Sequence, residues 1–196
     1  MGKDFAKAPV RLIESEGDWE LAKWTGRPYS KRVRVLRIFI SSGHNFVGHH
    51  GGPAGRHPVT EISRVDCVAG MGLFGDRFFG HRDNYKGQVT FFSTEVLEDL
   101  RQKFRPTDLH PGLHRRNVLL EGIDLNHWIG HEFEVQGVRF AGTEEARPCL
   151  WMDQVFGAGA VEWMRGKGGL RARILSDGCL TAAEQLWGTT GSERIG

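Results

Sequence analysis

Short apolar runs of strand length, broken by glycine, set the pattern of this chain. Val33–Ile40 is rich in β-branched residues and reads as a strand. Glu61–Ala69 alternates, with Val65, Cys67 and Ala69 on one face, which makes Cys67 a core residue. Gln88–Phe92 and Asn117–Leu120 are further strands. Glu132–Val135 and Val138–Phe140 flank Gln136-Gly137 as a hairpin, and Ala172–Leu175 closes the series. Helical spacing appears twice. Val96, Leu97, Leu100 and Phe104 share a face behind Ser93 or Thr94 as N-cap and Glu95 in the first turn, and Pro106 ends that helix. A second apolar run (Leu150, Trp151, Met152, Val155, Phe156) follows Pro148-Cys149, weakens at Gly157-Ala158-Gly159 and recovers at Val161–Met164. Six or seven short strands with glycine turns and two helices make a mainly β fold.

Composition narrows this picture. The chain has 196 residues, enough for one good core, and 27 glycines, which suit many turns. Residues 1–32 read as an irregular lead-in with a short helix near Trp19–Trp24, 33–187 as a single domain and 188–196 as a flexible tail. A formal net charge of +2 gives no reason to expect nucleic acid. No apolar run reaches membrane-spanning length, and the start has no apolar stretch of a secretory signal. Cys67, Cys149 and Cys179 are odd in number, widely spaced and free of any C-x-x-C pair. Reduced thiols in a cytoplasmic protein fit this best.

The candidate chemistry gathers at Glu144-Glu145-Ala146-Arg147-Pro148-Cys149-Leu150. Proline fixes φ just before the thiol and suits a first helical turn. A cysteine in that turn, beside Arg147, meets unpaired N–H groups and the positive end of the dipole, both of which favour thiolate. The plainer alternative is a small buried hydrophobe at a loop–helix junction. Two basic stretches stand elsewhere: Arg115-Arg116-Asn117 at the mouth of a strand, and Arg165 to Arg173 around Gly166-Lys167-Gly168-Gly169. Either suits phosphate through planar guanidinium groups, and either is equally a solvated turn. Asp76-Arg77 sets an acid beside a base in a tight turn, a structural ion pair being the plain reading. Gly70, Gly72 and Gly75 match G-x-G-x-x-G, but no clear helix follows, so neither nicotinamide nor flavin is expected. His44, His49 and His50 lie in a glycine-rich loop without zinc spacing, which favours a polar loop over a metal site and leaves anion contact through glycine N–H groups open.

Taken in order, Gly72-Leu73-Phe74-Gly75-Asp76-Arg77, Gln88-Val89-Thr90, Arg115-Arg116-Asn117, Glu121-Gly122-Ile123-Asp124-Leu125, Gly130, Pro148-Cys149 and Gly168-Gly169-Leu170-Arg171-Ala172-Arg173 resemble the MOSC domain, the C-terminal region of molybdenum cofactor sulfurases. The resemblance runs from about Val33 to about Gly178. It implies a partly closed β-barrel (pyruvate-kinase β-barrel-like) with a few short helices. It also implies a stand-alone protein that binds molybdenum cofactor (molybdopterin), carries sulfur as persulfide on Cys149, or both. The alternative it implies is a molybdenum-dependent reductase of N-hydroxylated compounds. Cys149 matches the family cysteine and is the expected catalytic residue and molybdenum ligand. Extending this by charge, Arg77, Arg115, Arg116, Arg147, Arg171 and Arg173, with Asn117, are the expected cofactor contacts. No pyridoxal-phosphate domain or ferredoxin cysteine pattern is present, so pyridoxal phosphate is not expected. The expected partners are a small-molecule substrate and a separate sulfur donor (a cysteine desulfurase) or electron-transfer protein.

Overall fold

The computed structural model describes residues 29–30, 33–44 and 57–183. The short helix expected near Trp19–Trp24, the tail and the histidines at 49 and 50 lie outside the described residues. In chain order the strands are β1 (Tyr29–Ser30), β2 (Arg34–Ile40), β3 (Thr60–Ile62), β4 (Arg64–Val68), β5 (Gly72–Leu73), β6 (Val89–Ser93), β7 (Val118–Glu121), β8 (Glu132–Val135), β9 (Val138–Glu145), β10 (Leu170–Ile174) and β11 (Gly178–Thr181). Among the described residues three α-helices join them: α1 (Thr94–Phe104), α2 (Leu150–Phe156) and α3 (Ala160–Trp163). A 3₁₀ turn covers Leu125–Trp128.

The larger sheet runs β1-β8-β9-β10-β6-β7-β2-β3, and a smaller one runs β11-β4-β5. Strands β6 and β7 pair parallel, with α1 as the crossover between them. The larger sheet does not close on itself. Instead β11 spans its two sides. The Ala183 N–H donates to the Val35 carbonyl at 2.8 Å, and Gln136, in the β8–β9 turn, exchanges hydrogen bonds with Thr181. The result is a mainly β, partly closed barrel.

Two apolar clusters explain the strand sequences. Inside the barrel lie Val35, Ile38, Val89, Phe91, Val118, Leu120, Leu170 and Ala172, with Trp128, Phe133 and Phe140 stacked among them. On the outer face Phe39, Phe92 and Leu119 pack under α1, α2 and α3. Strands β6 and β7 are therefore buried on both faces, which is why Phe91-Phe92 and Val118-Leu119-Leu120 read as unbroken apolar runs. Cys67 is 1% exposed in the barrel interior, and burial pushes its thiol up to about 12. Helix α1 starts on the Ser93 side chain, which accepts from the Val96 N–H, as expected.

Asn117 ties the two halves of the barrel mouth together. Its Oδ1 accepts from both the N–H and the hydroxyl of Thr90, and its Nδ2 donates to the Phe39 carbonyl and to Asp76 Oδ2. Asp76 also accepts from the Ser41 and Phe78 N–H groups. Both side chains are at most 5% exposed, so each lost bond would strand a buried partner. Asn117→Ala is expected to cost about 2–4 kcal/mol. The check is the denaturant midpoint at unchanged slope; a cost under about 0.5 kcal/mol would contradict the network's role.

Candidate functional site

A cavity of about 920 Å³ opens on the outer face of the larger sheet, where the helices leave it uncovered. Its floor follows from strand register. Thr90 on β6 is the partner of Arg171 on β10, and Arg171 is the partner of Glu144 on β9, so the three side chains form a row across the sheet. The register shifts between Arg171 and Ala172, leaving Thr143 as an extra residue. Its hydroxyl bonds the carbonyls of Lys86 and Arg171 and holds that irregularity in place.

The walls come from four segments: the loop with Arg77, Phe78, Tyr85 and Lys86, the turn with Arg115 and Arg116, the stretch Ala146–Met152, and His44. Cys149 stands on this wall and is exposed. It is not in the first helical turn but one residue earlier, as the N-cap of α2 in extended conformation (φ −131°, ψ 174°). Its side chain makes no capping bond. Leu150, not Cys149, opens the helix.

Six basic residues line the cavity (Arg77, Lys86, Arg115, Arg116, Arg147 and Arg171) against one carboxylate, Glu144. They are held in different ways. Arg77 lies 3.6 Å from Asp76 and 4.8 Å over the Phe78 ring, while its Nε is buried without a partner. Arg115 donates through Nη2 to Ser41 Oγ and the Gly43 carbonyl, and its buried Nη1 has no partner. Arg116 spends its donors on backbone carbonyls: Nε on Gly168, Nη1 on His114 and Nη2 on Ala146. Burial pushes Arg115 and Arg116 down to about 10, against the attraction of Cys149, and both remain cations at neutral pH. Partial desolvation and then the charges of Arg77 and Arg115 hold His44 below its usual range.

Five of the seven residues expected as cofactor contacts meet here: Arg77, Arg115, Arg116, Arg147 and Arg171. Asn117 and Arg173 are not among the lining residues. Asn117 is spent in the buried network described above, and Arg173 sits two residues along β10 from Arg171, beyond the floor row. The basic stretch around Gly168 is partly paired in three dimensions. Arg165 meets Glu162 at 2.7 Å, and Lys167 lies 4.1 Å over the Trp163 ring. Sequence reading missed His44 as a wall residue, along with Lys86, Glu144, Phe78, Tyr85 and Trp151. None of them carried a usable signal. Alternation carried along β9 past Phe140 would put Glu144 on the core face, and it is the extra residue Thr143 that turns it to the cavity.

The Gly168-Gly169 pair owes its place to packing. A Cβ at Gly168 would lie 2.5 Å from the Ala146 carbonyl oxygen and 2.8 Å from Pro148 Cδ. One at Gly169, where φ is +97°, would lie 2.3 Å from the Phe91 carbonyl oxygen. The Ala146 N–H donates to the Gly169 carbonyl at 2.8 Å, and Glu145 accepts from the Gly168 N–H. The backbone that carries Cys149 is thus seated directly on the start of β10.

Fold and site together define a mainly β protein with a basic cavity and one exposed thiol on its wall. The family model described as the MOSC domain matches residues 48–186, and the chain belongs to that family. Among solved structures it is similar to the YuaD protein of Bacillus subtilis (16% identity, TM-score 0.60, covering 76% of this chain and 91% of that one). It is also similar to YiiM of Geobacillus stearothermophilus (12%, TM-score 0.52, 76% and 71%) and YiiM of Escherichia coli (14%, TM-score 0.51, 76% and 67%). At these identities the likeness shows the fold. No curated protein matches the chain.

Two outcomes follow from this geometry. Gly168→Ala is expected to cost about 1–3 kcal/mol by overpacking and to change the rate at which a disulfide reagent labels Cys149 at least about twofold. Melting and labelling kinetics check this, with Cys149→Ser supplying the background from Cys179; an unchanged rate would show that the seam does not position the thiol. The second concerns His114, fully buried between Phe39 and Phe92, whose Nδ1 accepts from the Arg116 N–H. Burial first, then Arg116 and Arg101, holds it well below 6.5. The unfolded chain therefore takes a proton there that the folded chain refuses. Stability should be full above about pH 6.5 and fall by up to about 1.4 kcal/mol per unit below it. Denaturant unfolding from pH 7.5 to 5 should show that slope reduced in His114→Gln.

Proposed function

We propose that this MOSC protein binds molybdenum cofactor in the basic cavity, with Cys149 as the thiolate donor to the metal. The observation that carries the reading is an exposed thiol on the wall of a cavity bearing six basic side chains and one carboxylate. The volume, about 920 Å³, is of the size that takes a whole cofactor, where a sulfur relay needs only an accessible thiol. Fit is supported by unspent donors on the wall, Arg77 Nε and Arg115 Nη1, which are buried without partners and suit an anionic group. Cys149 is soft and single. Among the described residues no group of three or more His, Cys, Asp or Glu side chains stands ready to hold a metal. It would therefore complete a metal that arrives with its own ligand. The bound group would supply a redox-active centre. The protein's part is to hold the phosphate with Arg77, Arg115, Arg147 and Arg171, and to flank the ligand with Phe78, Tyr85 and Trp151.

The second reading keeps Cys149 as a sulfur carrier, favoured by its exposure. Attack on sulfur needs an accessible thiolate. Either way the protein works with a partner: a cysteine desulfurase as sulfur donor, or an electron-transfer protein if it reduces N-hydroxylated substrates. Three free cysteines fit a reducing cytoplasm. Among the described residues no helix is long and apolar enough to cross a membrane.

Expression in a cofactor-producing host tests the reading. Molybdenum present in the purified chain and lost in Cys149→Ser is the expected result. An adduct of about 32 Da on Cys149 without molybdenum would favour the carrier, and neither would end both readings.

A further inference from the structure

The cavity holds one carboxylate, and its position is not incidental. Glu144 Oε2 lies 2.6 Å from Lys86 Nζ, and its Oε1 lies 3.0 Å from Arg171 Nη1. One oxygen serves each cation, as two oxygens of a phosphate would. The neighbouring Glu145 is turned to the Gly168 N–H, so of the two glutamates only Glu144 faces the cavity. Three of the other four cavity guanidinium groups are held differently: Arg115 and Arg116 by hydroxyl and carbonyl oxygens, Arg77 from below by the buried Asp76. The fourth, Arg147, attracts Glu144 from further off, and Lys86 and Arg171 are the two in direct contact with it. The side chains of this triad are 34–50% exposed, the range where an ion pair is weak and readily exchanged.

We propose that Glu144 is a built-in counter-ion that sets the charge requirement of the site: it occupies Lys86 and Arg171 until a phosphate-type dianion displaces it. A monoanion merely replaces one negative charge by another and gains little. A dianion gains a full charge against the pair and keeps both hydrogen bonds. Glu144 is therefore a specificity residue, selecting multiply charged phosphate ends over carboxylates. The inference rests on the anion-binding reading of the cavity and is independent of any role for Cys149.

The test uses inorganic pyrophosphate and acetate as probes, with calorimetric titration of the full chain, Glu144→Gln, Arg171→Gln and Glu121→Gln. The last makes the same charge change at a surface pair with Arg34, outside the cavity. Glu144→Gln should bind pyrophosphate roughly 3- to 30-fold more tightly than the natural chain and lose discrimination against acetate. Arg171→Gln should bind more weakly, and Glu121→Gln should be unchanged. Pyrophosphate binding that is equal in Glu144→Gln and the natural chain, or raised equally by Glu121→Gln, overturns the proposal while leaving the cavity an anion site. No binding by any variant overturns the proposal and removes the phosphate part of the cofactor reading. Molybdenum retention through Cys149 then remains to be judged on its own test. Circular dichroism and melting confirm that each variant is folded, and Glu144→Ser, expected to match Glu144→Gln, repeats the comparison.

Discussion

The cavity depends on one close approach of backbone to backbone, where Ala146–Pro148 rests on Gly168–Gly169 with no side chain between them. Arg116 clamps the same seam from the side, one guanidinium reaching the carbonyls of Gly168, His114 and Ala146. The clamp is rooted in turn through His114, whose ring is wedged against Phe39 and Phe92 beneath the helices. Three segments far apart in sequence are thereby fixed to one another at the point where the thiol emerges. An arginine used in this way is a structural part with a residual charge. Glu145 attracts that charge from a distance but makes no ion pair with it among the described residues, so it adds to the positive field of the cavity.

The electrostatics of the site rest on that economy of acids. A buried cation is tolerable when oxygen atoms ring it, whether they belong to a carboxylate or to backbone carbonyls. Where carbonyls do the work, solvation is supplied but net charge is not cancelled. The cavity uses carbonyls for Arg116 and for part of Arg115, a buried carboxylate for Arg77, and a surface carboxylate for Lys86 and Arg171. Only the last can be exchanged cheaply, because only there is the acid partly in water. The deep cations hold the shape of the cavity and its field. The shallow pair decides what comes in.

Much of the scaffold was legible because the signals were local. Short β-branched and apolar runs between glycine turns located most of the strands, and Ser93 with Pro106 bounded α1. The cysteine, its proline and its neighbouring arginine drew attention to a stretch that lines the cavity. What stayed hidden was set by tertiary register. Nothing near Arg173 in sequence says that it falls outside a cavity Arg171 lines, since both lie on the same face of β10 and only the edge of the cavity separates them. Asn117 looked like a ligand contact because polar residues beside arginines often are. Its four bonds go instead to Thr90, Phe39 and Asp76, a demand for buried polar pairing that no linear pattern announces. Cys149 missed the first helical turn by one residue, within the usual uncertainty of helix ends.

The residues that revealed the family and the residues that line the cavity overlap only in part. Asp76, Asn117, Arg116, Gly168 and Gly169 belong to the recognisable blocks, and each is consumed in holding segments together. Lys86, Glu144, Phe78, Tyr85 and Trp151 lie outside those blocks, yet they supply the exchangeable charge and the aromatic walls. The fold itself is shared at low sequence identity, as the YuaD and YiiM structures show. Choice of ligand would then rest on the few side chains that the scaffold leaves free. On that division of labour, changing a block residue that is spent in packing, such as Asn117 or Gly168, should damage the whole protein, whereas changing a side chain that faces the cavity should alter what the cavity accepts and leave the fold intact.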